Sequence, residues 1–82
     1  MWQKELYRLR MYLDEHTEKA NDAQAWLLHK VLYSGYRSWC EGNAERFLSH
    51  VRFSRLMAAM KYQKGERKDD GNVWLEIRFK KL

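Results

Sequence analysis

The sequence predicts a mainly α domain that closes with a β-hairpin, and three observations carry that expectation. Apolar residues recur at helical spacing through about the first sixty positions. Val73, Leu75, Ile77 and Phe79 then alternate with Trp74, Glu76, Arg78 and Lys80, the period of two of a half-buried strand. The 82 residues contain no proline, so nothing interrupts the helices, and 45% apolar with 15% aromatic residues suffices for one modest core. One domain over 1–82 is expected: an additional N-terminal helix (1–20), a helical core (22–61) and a hairpin (62–82).

The first helix is placed from about Gln3 to about Lys19, where Trp2, Leu6, Leu9 and Leu13 form the apolar stripe. Asn21-Asp22 reads as a break and a new N-cap, with Gln24 near the third position. The second helix then runs to Cys40 or Glu41. Ala25, Leu28, Leu32, Tyr36 and Trp39 form its face, widened by Trp26, Val31 and Tyr33. Tyr33, Tyr36 and Trp39 make a slanting aromatic stripe, read as core. Gly35 within that helix costs about 1 kcal/mol against Ala, so a close contact is expected to offset it. Gly42-Asn43 stops the helix, with a short helical turn expected over Asn43 to Phe47.

Ser49 is the N-cap expected for the third helix, which ends at Met60 or Lys61. Phe53, Leu56, Met57 and Met60 lie at i, i+3, i+4 and i+7 and form a narrow core stripe. The other faces carry His50, Arg52, Ser54, Arg55, Ala58, Ala59 and Lys61, with no acidic residue. Beyond it, Asp-Gly and Gly-Asn turn chemistry in "KDDGN" joins the strand at 73–79 to an antiparallel partner at Tyr62 to Arg67.

The charge of the chain is unevenly placed. Residues 1–43 hold six Lys/Arg against six Asp/Glu, whereas residues 44–82 hold ten against five, so the second half carries the whole net +5. A basic half joined to a neutral half suits an anionic partner, above all nucleic acid, and is equally compatible with a solvated basic face.

Helices, an acid-free helix after a short connection, then a basic hairpin: this is the element order of a winged helix-turn-helix, here with one extra helix in front. The major groove admits one helix whose outward side chains are short where backbones approach and cationic where phosphates flank. Arg52 and Arg55 are therefore the candidates to face base edges, with His50 beside them and Ser54 and Ala58 permitting close approach. Lys61, Lys64, Arg67, Lys68, Arg78 and Lys80 are the candidates for phosphate. Double-stranded DNA is favoured over single strands, and the reading requires these cations to share one exposed surface. Trp74 is expected either to stack at the wing or to pack on the helices.

The run Tyr33-x-x-Tyr36-x-x-Trp39-Cys40-Glu41-x-Asn43, followed by Leu48-Ser49, Phe53, Leu56 and the 73–79 strand, resembles the C-terminal domain of phage-, plasmid- and poxvirus-type primase-helicases over about residues 25–80. The resemblance implies a winged helix that binds DNA during replication. The chain departs from that family in three ways. It has no phosphate-binding Gly-Lys-Ser/Thr run, its first helix has no counterpart, and Met60-Lys61-Tyr62 stands where the family often places glycine after the third helix.

Other chemistries find little support. His16, His29, His50 and Cys40 lack zinc-site spacing. Asp14-Glu15 and Asp69-Asp70 suit a helix end and a turn. Gly65 and Gly71 fall in a hairpin rather than between a strand and a helix. Neither catalysis nor a cofactor or metal is expected. One cysteine cannot form an internal disulfide, and no apolar run nears the roughly 20 residues of a membrane span. A soluble cytoplasmic chain is the expectation. The competing function is a small protein-interaction module of phage type, docking on a host or replication protein through Trp2, Leu6, Leu9 and Leu13. RNA binding has less support, because no ring-bearing sheet face stands out.

Overall fold

The computed structural model describes residues 3–22 and 24–80, apart from the Gln3 side chain. Among these residues the fold is α+β, in the order α1 (Gln3–His16), β1 (Thr17–Lys19), β2 (Trp26–Leu28), α2 (His29–Gly42), α3 (His50–Ala59), β3 (Gln63–Arg67), β4 (Gly71–Leu75) and β5 (Ile77–Phe79). The expected helices and terminal hairpin are present, β1 and β2 are additional strands, and β5 is the second half of the strand expected over 73–79.

α1 leaves the helix three residues earlier than its apolar stripe suggests. Thr17 Oγ1 donates to the Leu13 carbonyl at 2.6 Å, satisfying a last-turn acceptor, and the chain passes directly into β1. β1 pairs antiparallel with β5 (Thr17 with Phe79, Lys19 with Ile77), and β2 pairs antiparallel with β4 (Trp26 with Leu75, Leu28 with Val73). The strand expected over 73–79 is thus divided at Glu76, where φ is 56°. There the Glu76 N–H donates to Ala25 O, and its carbonyl accepts from Ala20 N–H, both at 2.9 Å. The ends of the β1–β2 connection are thereby fixed to one residue. Asp22 does cap locally, its Oδ1 accepting from Gln24 N–H at 2.9 Å, but it closes a turn rather than starting α2. That helix starts seven residues later, after Leu28 and without a side-chain cap.

β3 and β4 form the expected hairpin, with Gly65 opposite Val73 and Arg67 opposite Gly71. The three-stranded sheet has the order β2-β4-β3. Gly71, at φ 82°, occupies the turn position that glycine tolerates without strain. Side chains alternate across this sheet, so Leu27, Lys64 and Trp74 share one face while Trp26, Leu28, Gly65, Arg67, Val73 and Leu75 share the other.

The core lies between the helices and the first of those faces. Leu9, Tyr12 and Leu13 of α1, Leu32, Tyr36 and Cys40 of α2, Phe53, Leu56 and Met57 of α3, and Trp74 and Ile77 are all buried in one cluster. Gly35 sits against Tyr12, the close contact anticipated for it. Across the molecule, Arg8 of α1 pairs with Glu45 at 2.8 Å. α2 ends on Asn43, whose Nδ2 donates to Trp39 O at 2.7 Å, while Gly42 remains helical and Ala44 takes the positive φ of 55°. The helical turn expected over Asn43 to Phe47 does not form. No helix among the described residues is long and apolar enough to cross a membrane.

Candidate nucleic-acid interface

α3 is set in place from its first residue. Ser49 is its N-cap, and Ser49 Oγ accepts from Arg52 N–H at 3.3 Å. Leu48, one residue earlier, is held by two of the three aromatics in the α2 stripe: Tyr33 Oη donates to Leu48 O at 2.7 Å, and Leu48 N–H donates to Tyr36 Oη at 3.1 Å. The Phe53 ring then packs 5.4 Å from Tyr33 and 5.2 Å from Tyr36, centroid to centroid. Burial holds the Tyr36 hydroxyl protonated far above its ordinary range, so it stays a neutral hydrogen-bonding group. The stripe is core, as expected, and it also fixes the entry angle of α3.

The far end of α3 closes with a Schellman arrangement. Tyr62 N–H donates to Met57 O at 3.1 Å and Lys61 N–H to Ala58 O at 3.0 Å, with Lys61 at φ 72°. Lysine therefore adopts the left-handed conformation in which glycine is unstrained.

Successive α3 residues are rotated by about 100°. With Phe53, Leu56 and Met57 directed into the core, Val51, Arg55 and Ala58 point straight out. Arg52 and Ala59 flank them on one side, and His50 and Ser54 on the other, with Lys61 just beyond the helix end. All but the half-buried Ser54 are exposed. Val51, 49% exposed, joins this face although it is not among the sequence-predicted site residues. Its only signal is spacing, since it lies four residues before Arg55 and opposite the apolar stripe.

His29 joins α3 to the hairpin. Trp74 is fully buried, and its Nε1–H donates to His29 Nδ1 at 3.0 Å. An accepting Nδ1 assigns the His29 proton to Nε2. The His50 ring lies 6.2 Å from His29, and the Lys64 ammonium stands 5.9 Å from the Trp74 ring centroid. Burial, then the Lys64 charge, then His50 lower the His29 pKa from its ordinary value. Of the two placements open to Trp74, the structure adopts packing on the helices. No local pattern signals this cluster, because His29 and Trp74 are 45 residues apart.

The ten candidate residues do not share one surface. His50 and Lys64 meet around His29, and Arg52, Ser54 and Arg55 lie on α3 beside them. Lys68 is exposed in the β3–β4 turn. Arg67 belongs to the opposite sheet face, its guanidinium 4.3 Å from the Trp26 ring centroid and 3.5 Å from Asp70. Arg78 lies on β5 and Lys80 just after it, in the separate β1–β5 pair next to α1. Arg78 is paired with Glu18 at 2.7 Å, and Lys80 Nζ donates to the Asp14 carbonyl. Lys61 lines a groove of about 400 Å³ with Leu6, Arg10, Asp14, Lys19 and Tyr62.

The stripe proposed for a protein partner is also corrected. Leu9 and Leu13 are buried and Leu6 packs against the core, while Trp2 lies outside the described residues. Cys40 is fully buried, and burial raises its thiol pKa, which disfavours the thiolate needed for nucleophilic chemistry. Among the described residues no group of three or more His, Cys, Asp or Glu side chains could hold a metal ion. No protein-family model and no curated protein matches the chain.

Proposed function

We propose that the chain is a DNA-binding module of winged helix-turn-helix type, serving replication or its regulation, in keeping with its resemblance to phage- and plasmid-type primase-helicase domains. The observation that carries the reading is α3. It has a rigid, capped start, an outward face of small, cationic and β-branched residues without a carboxylate, and the basic β3–β4 hairpin beside its first turn. The β2-β4-β3 strand order and the helix pair α2–α3 support the same reading.

In this assignment α3 enters the major groove. Arg55, flanked by Arg52, reaches for guanine edges or the adjoining phosphates, and Val51 suits a thymine methyl. Ala58 and Ser54 leave room for the backbone to approach. His50, Lys61, Lys64 and Lys68 accompany the phosphates on either side. Arg78 and Lys80 are removed from this contact, and Arg67 reaches it only from the other sheet face.

About five phosphate contacts give a slope near −4.5 for log affinity against log salt, so affinity should fall about 500-fold between 50 and 200 mM salt. Fluorescence anisotropy with labelled random duplex and random single strand tests this. Salt-sensitive binding that prefers duplex, and is lost in the Arg52→Ala/Arg55→Ala variant, is expected. Binding indifferent to salt, or unchanged in that variant, would overturn the assignment.

A further inference from the structure

Only one nitrogen of His29 is engaged within the fold. Nδ1 accepts from the indole N–H of the fully buried Trp74 at 3.0 Å. An indole nitrogen can only donate, so Nδ1 carries no proton and Nε2 carries it. The ring is held by its neighbours: Tyr33 stacks on it at 6.3 Å and 13°, and Phe53 meets it edge to face at 5.7 Å. Nε2–H finds no acceptor among the described residues and is not enclosed, so this fixed donor opens to solvent.

Two further nitrogen-bearing side chains approach from other elements. His50 is the first residue of α3, and its ring stands 6.2 Å from that of His29. Lys64 lies opposite Trp74 on β3, with its ammonium 5.9 Å from the indole centroid. Both are exposed, and neither takes part in an ion pair among the described residues. The charges that act on His29 are those of Lys64 and His50, with no carboxylate among them.

We infer that His29, His50 and Lys64 form a seat for one phosphate group, with His29 Nε2–H as its uncharged, preoriented donor. A phosphate accepts from several donors at once, and α2, α3 and β3 each supply one here. The identity of the ligand rests on the DNA reading, in which a backbone phosphate occupies the seat and fixes the register of the first turn of α3. A free phosphate offers the same oxygens. His29 differs from the cations around it in one respect. A neutral donor displaces no counterion, so its removal weakens binding equally at every salt concentration, whereas loss of Lys64 flattens the salt dependence.

Anisotropy with the labelled random duplex at pH about 7.5, where His29 is neutral, tests this. In His29→Asn the amide oxygen can replace Nδ1 as the acceptor for Trp74, but the outward donor is gone. That variant should bind about threefold to tenfold more weakly with its salt slope kept, and Lys64→Ala should lower the slope by about 0.9. Imidazole ¹⁵N spectra of the wild-type chain supply a second measurement that needs no variant to fold. They should show His29 protonated at Nε2, with that resonance moved by duplex and, saturably, by inorganic phosphate but not by chloride of equal ionic strength. A folded His29→Asn that binds duplex as tightly as wild type overturns the inference. So does a His29 Nε2 resonance that neither duplex nor inorganic phosphate moves. Should the wild-type chain bind no duplex, the DNA reading fails by itself; a saturable response to inorganic phosphate then keeps the seat, and its absence overturns it.

Discussion

Substitution of Gly35 by alanine should destabilise the protein even though alanine is the better helix former. In an open helix the change would gain about 1 kcal/mol. Here the new Cβ would fall well inside contact distance of Tyr12 Oη and 3.6 Å from Tyr12 Cζ. Tyr12 has little freedom to retreat. It is 2% exposed, its ring lies 5.8 Å from Tyr36 and 5.9 Å from Trp39, and its hydroxyl donates to Leu32 O at 3.3 Å. Burial pushes its pKa up to about 12, so the displaced group is a neutral phenol. Overpacking costs about 1–3 kcal/mol and an orphaned buried hydroxyl about 1–3 kcal/mol. Against the helix-propensity gain, the net loss should be about 1–5 kcal/mol, a fall in Tm of at least about 5 °C. Tyr12→Phe removes the obstructing oxygen and leaves an ordinary carbon contact. In that background Gly35→Ala should stabilise by about 0.5–1 kcal/mol, a coupling of at least about 1.5 kcal/mol between the two sites. Urea titration of all four proteins measures the cycle. Gly35→Ala proving neutral in the wild-type background, or equally harmful in both, would refute the packing argument.

Three further outcomes follow from the same geometry. His29 has a folded pKa below its unfolded value of about 6.5, so the unfolded chain binds more protons and stability rises with pH in that window. The contribution is complete above pH about 6.5 and lost on acidification through the folded pKa, and Tm measured from pH 7.5 to 5.5 should decline less in His29→Gln. A steeper decline in that variant would contradict the burial of His29 as its cause. Ser49→Ala removes the α3 cap and should cost about 1 kcal/mol, read as a lower urea midpoint. Lys61→Gly relieves a left-handed lysine and should stabilise by about 0.5–1 kcal/mol while reducing the DNA salt slope by about 0.9.

What the sequence reveals, and what it conceals, divides between local and distant causes. Ser49, the Phe53–Leu56–Met57 stripe and the Asp70-Gly71 turn act on their own neighbours, and α3 and the β3–β4 hairpin were legible from them. Trp26-Leu27-Leu28 fits helical spacing with Leu32 and Tyr36, yet forms β2 because Val73 to Leu75 offer it a ladder, and three-residue strands carry no period of their own. Glu76 could not be recognised as a break, because the groups that hold it, Ala20 and Ala25, lie more than fifty positions away. The candidate cations followed the same division. His50, Arg52 and Arg55 stand exposed on α3 with Ser54 half-buried, whereas Arg67, Arg78 and Lys80 are separated from that helix by strand alternation and by the β1–β5 pairing.

The central claim is that duplex DNA meets α3 and the adjoining hairpin. Amide chemical-shift changes in the ¹⁵N-labelled protein on addition of a short duplex test it most directly. The account predicts changes concentrated at His50 to Lys61, Lys64 and Lys68, with the amides of Glu18, Arg78 and Lys80 unmoved. Changes centred on α1 or β5, or none at all at low salt, would contradict it.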